Sequence, residues 1–71
     1  MVLKIKPKTV EGKKAINKLI DDYYNSGLTG SPFWWLDDWF VIVSTLAKGC
    51  LSRLRDYLND NLEKHFEIKW V

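Results

Sequence analysis

The stretch FWWLDDWFVIV at positions 33–43 constrains this chain more than any other part of it. It holds three of the four tryptophans and two of the three phenylalanines of a 71-residue protein. So much apolar surface has to be buried against something, in the fold or in a partner, because water disfavours it in proportion to its area. Two local structures compete for the stretch. As a hairpin, Phe33 to Leu36 and Trp39 to Val43 are strands around an Asp37-Asp38 turn, since aromatic and β-branched side chains suit a pleated surface. As a helix, Ser31 caps, Pro32 opens the first turn, and an apolar stripe runs from Leu36 through Trp39, Phe40, Val43, Leu46 and Cys50 to Leu58 at three-to-four spacing, with Gly49 marking a break or kink. The hairpin is preferred, because one helix of some thirty residues would overhang so short a domain.

The flanking segments read more simply. Leu3 and Ile5 alternate with Lys4 and Lys6, a half-buried strand stopped by Pro7. Thr9 is placed to cap a helix from Val10 to Ser26, whose apolar stripe is Ala15, Ile16, Leu19, Ile20 and Tyr23. Gly27 suits its left-handed end, from which Leu28 would pack back on Tyr23, and Gly27 to Pro32 reads as a loop. A second helix is expected from about Leu46 to Lys64, capped by Ser44 or Thr45. A last strand alternates Phe66, Ile68 and Trp70 with Glu67 and Lys69. The expected fold is a single α+β domain over 1–71, ordered β-α-β-β-α-β, the ferredoxin-like or split βαβ arrangement with two helices on one face of the sheet. The alternative is β-α-α-α-β with its terminal strands paired.

The inventory of chemical groups argues against an enzyme. One cysteine, Cys50, and one histidine, His65, leave no disulfide, no multi-thiolate zinc site and no cofactor or metal centre to expect. Cys50 sits in an apolar stripe and reads as a small hydrophobe, and His65 as a solvated residue at a helix–strand junction. Asp37 and Asp38 are adjacent and therefore point apart, which suits a turn better than shared acid–base work. The N-terminus lacks the apolar core of a signal peptide. The run from Phe33 to Ala47 is too short and too acidic for a membrane span, so a cytoplasmic protein is expected.

Charge is unevenly distributed. Residues 1–18 carry six lysines and Glu11, whereas residues 19–71 carry five basic and eight acidic side chains; +5 and −3 give the overall +2. A basic start on an acidic body can steer a partner. Alternation along a hairpin would send about half of its rings to the sheet face that the helices leave open, beside the lysines of the first strand. The expected function is therefore a non-enzymatic protein-binding module, an inhibitor or regulator of virus-encoded or antitoxin-like type that occludes a partner's site. Trp34, Trp35, Trp39 and Phe33 would be its anchors, Asp37 and Asp38 its rim, and Lys4 and Lys6 its steering charges. A homodimer is a further expectation, because an open apolar face can be covered by a two-fold copy. The rival is nucleic-acid binding on the face bearing Lys4, Lys6 and Lys69, although no Lys/Arg-Gly-aromatic motif is present.

Overall fold

The polar–apolar alternation of the first residues becomes the first strand, β1 (Val2–Pro7), with Leu3 and Ile5 fully buried. The computed structural model describes residues 2–28 and 30–71. Next comes α1 (Val10–Asn25), started by Thr9, whose side chain accepts a hydrogen bond from the Gly12 amide at 3.0 Å. Its buried stripe is Gly12, Ala15, Ile16 and Leu19, and Gly27 follows its end at φ +82°, as a left-handed terminator should. Leu28 does not fold back to bury itself; it stays about half exposed.

Over 33–43 the hairpin prevails: β2 (Phe33–Leu36) and β3 (Trp39–Val43) pair antiparallel, with Leu36 opposite Trp39 across the Asp37-Asp38 turn. The β-α-α-α-β order therefore fails at this stretch. From β3 the chain passes straight into α2 (Ser44–Leu58), so the expected cap at Ser44 or Thr45 is not used; Val43 holds the capping position without a side-chain hydrogen bond. Gly49 breaks nothing. The expected long second helix instead stops at Asn59 and Asp60, which take φ 54° and 65°, and a short α3 (Leu62–His65) leads into β4 (Phe66–Trp70).

Among the described residues, four strands form one antiparallel sheet in the order β2-β3-β1-β4, with three helices. Register assigns every side chain to a face. On the helix-bearing face lie Phe33, Ile42, Leu3 and Trp70 in one row, and Trp35, Phe40, Ile5 and Ile68 in the next. The core forms between these rows and Ala15, Ile16 and Leu19 of α1, Ala47, Cys50 and Leu54 of α2, and Leu62. The opposite face carries Trp34, Val41, Lys4 and Lys69 in one row, with Leu36 beside Trp39 and Lys6 beside Glu67. No helix among the described residues is long and apolar enough to cross a membrane.

Candidate binding surface

Six hairpin residues were expected to divide between the two faces, and they do. Phe33, Trp35 and Phe40 project to the helix side, and Trp34, Val41 and Trp39 to the other. Facing the helices does not bury them equally. Phe33 is only 7% exposed, packed edge-to-face on Tyr23 with ring centroids 5.1 Å apart and tilted against Phe40 at 5.4 Å. It is packed into the core of the chain, which leaves little of its ring on the surface. Trp35 points the same way and touches Phe40 at 5.1 Å, yet it is 42% exposed. It forms one wall of an open cleft of about 710 Å³ whose other sides include Lys8, Lys13, Asp37 and Asp38.

On the uncovered face, Trp34 is 44% and Leu36 48% exposed. Trp39 is half-buried beneath Lys6, whose Nζ lies 6.0 Å from the ring centroid, a loose cation–π arrangement. Val41 is buried although no helix covers its side, because its row neighbours Trp34 and Lys4 carry long side chains that flank it. The result is a graded surface: rings and aliphatics on β2 and β3, lysines on β1 and β4. Asp37 and Asp38 sit exposed at the hairpin tip, with Asp37 at φ 56°. The structure thus brings Trp34, Trp39, Lys4 and Lys6 onto one face and turns Trp35 and Phe33 to the other.

Leu36 and Trp70 are exposed on the sheet but were not among the expected contact residues. Leu36 continues the alternation of Trp34, and that signal was available. Trp70 was expected in the core with Phe66 and Ile68; it does face the helix side opposite Leu3, but at the end of an outer strand it stays 48% exposed.

The two candidate nucleophilic or acid–base groups lie elsewhere. Cys50 is 7% exposed inside α2, and burial pushes its thiol pKa up despite the opposing charge of Arg53, which disfavours the reactive thiolate. His65 is half-buried at the helix–strand junction, and its Nδ1 lies 2.6 Å from Thr9 Oγ1. Among the described residues, no group of three or more His, Cys, Asp or Glu converges as a metal site would require. No protein-family model, curated protein or solved structure matches the chain.

Proposed function

We propose that this chain is a non-enzymatic protein-binding module, an inhibitor or regulator that occludes a partner's surface with the β2–β3 hairpin and the uncovered sheet face. One observation carries the reading: three consecutive large apolar residues, Trp34, Trp35 and Leu36, are each 42–48% exposed. Exposed rings clustered in this way cost free energy in water and favour aggregation unless something uses them. Trp34 and Trp39 are the anchors, Leu36 widens their patch, Trp35 offers a ring on the other side of the hairpin, and Lys4 and Lys6 bias approach toward acidic partners. A reducing compartment such as the cytoplasm suits a chain whose single thiol is buried and unpaired.

The architecture supporting this surface reads as a ferredoxin-like sheet. The support is the strand order β2-β3-β1-β4 with β1 joined to β2 through α1; the short α3 is an addition to that plan.

A second reading, single-stranded nucleic acid on the same face, has its own support in the row Trp34–Val41–Lys4–Lys69 and in Lys6 over Trp39. Salt separates the two. The chain, used as bait in a nuclease-treated lysate, should retain protein from low to high salt. Retention that vanishes with nuclease, or falls steeply with salt as counterion release requires, would replace the first reading by the second.

A further inference from the structure

We infer that the free edge of β2 pairs with β2 of a second copy, antiparallel about a two-fold axis, with Trp34 against Trp34. It concerns the strand edge rather than the sheet face, and it covers part of the Trp34, Trp35 and Leu36 surface that the hetero-partner reading also uses. β2 ends the sheet on one side and β4 ends it on the other. The two edges are built differently. β4 places Glu67 and Lys69 along its length, the charged guard by which edge strands resist pairing, whereas Phe33–Leu36 contains no charge, no internal proline and no bulge in its register.

The backbone phase of β2 suits a further strand. In a two-residue hairpin the residues flanking the turn form the hydrogen-bonded pair, here Leu36 and Trp39, and the bond from Val43 N to Pro32 O at 3.0 Å keeps the same phase. Alternation then aims the amides and carbonyls of Phe33 and Trp35 away from β3, toward the empty edge.

Two-fold symmetry restricts the register. Residues opposite each other in an antiparallel pair share a face, so the axis passes between two copies of one residue, and centring on Trp34 or Trp35 keeps most of β2 paired with β2. Centring on Trp34 sets Phe33 against Trp35 at both ends, and both pairs use the outward groups. Centring on Trp35 sets Phe33 against Asp37, whose left-handed turn conformation cannot extend a ladder. The first register therefore wins. It also brings no like charges together, because Asp37 falls opposite Ser31, and it lays the exposed Trp35 of one copy beside Phe33 and Tyr24 of the other.

The buried patch is modest. Half-exposed Trp34, Trp35 and Leu36, with Tyr24 and Leu28 at the Phe33 end, fall short of the roughly 800 Å² per partner of a tight complex, so dissociation in the micromolar range, about 1–100 μM, is expected.

Sedimentation of the full chain from about 1 μM to about 1 mM reads this directly. The mass should rise from 8.4 kDa toward twice that value, and Trp34→Lys should hold it at 8.4 kDa while keeping the native circular dichroism. Single cysteines test the register, with the unmodified chain and its buried Cys50 as control. On oxidation Trp34→Cys should cross-link, whereas Leu36→Cys should not, its two copies lying roughly 14 Å apart at the rise of a strand. A mass fixed at 8.4 kDa at every concentration would overturn the inference. So would a folded Trp34→Lys that still dimerises, or Trp35→Cys or Leu36→Cys cross-linking ahead of Trp34→Cys.

Discussion

Thr9 Oγ1 lies 2.6 Å from His65 Nδ1, joining residues 56 apart in the chain at the point where α1 begins and β4 begins. The same oxygen accepts the Gly12 amide, so one hydroxyl both starts a helix and ties it to the end of α3, where the last strand starts. Thr9→Ala should cost about 1–2 kcal/mol, and Thr9→Ser should recover most of it. A double-mutant cycle with His65→Ala, followed by urea unfolding, should give a coupling of about 0.5–1.5 kcal/mol. Strict additivity would mean that the side-chain contact contributes nothing.

Two helical glycines should respond to alanine with opposite signs. A Cβ on Gly12 would meet the His65 carbonyl oxygen at 2.8 Å, and that carbonyl is fixed by the Lys8 amide at 2.7 Å. Gly12→Ala should therefore destabilise by about 1–3 kcal/mol, as overpacking does. A Cβ on Gly49, on the exposed side of α2, would meet nothing within 4 Å, so Gly49→Ala should stabilise by about 0.5–1 kcal/mol. Thermal unfolding of both variants checks the pair.

Tyr57 of α2 donates its hydroxyl to Asp22 Oδ2 of α1, and Lys18 Nζ lies 5.1 Å from its ring centroid. Burial first, and the Asp22 hydrogen bond second, raise the phenol pKa above its ordinary 10.0, with Arg53 opposing. A raised folded-state value means the neutral phenol is favoured in the fold. The stability this contributes is present below pH 10.0 and lost as pH rises through the higher folded value. Urea midpoints at about pH 8 and about pH 11 should fall further for the wild type than for Tyr57→Phe. Equal losses would remove Tyr57 from the alkaline transition.

Most of the fold was legible because local signals agreed with one another. Lysines alternate with Leu3 and Ile5, Thr9 precedes a clean stripe, and Phe33 to Val43 is rich in side chains that suit strands and crowd helices. The second helix was read too long because Asn59 and Asp60 fall on its polar side and look like ordinary exterior residues. Their left-handed backbones, φ 54° and 65°, end it without the glycine that usually signals such a stop. At the surface, alternation gave the face of each ring but not its exposure. Phe33 and Trp35 share a face and differ from 7% to 42%, because exposure depends on how far the helices reach along the hairpin, and no local pattern encodes that. The partner of His65 was not legible for the same reason: Thr9 lies far away in the chain.

The proposed role of the uncovered face turns on whether Trp34 serves a partner or the fold, and Trp34→Ala measured twice on the same preparation separates these. Its urea unfolding free energy is expected to stay within about 1 kcal/mol of the wild type, well below the 3–5 kcal/mol of an emptied core site such as Phe40→Ala, while protein retained by the bait is lost. A core-sized loss of stability, or full retention of protein by a stable Trp34→Ala, would contradict it.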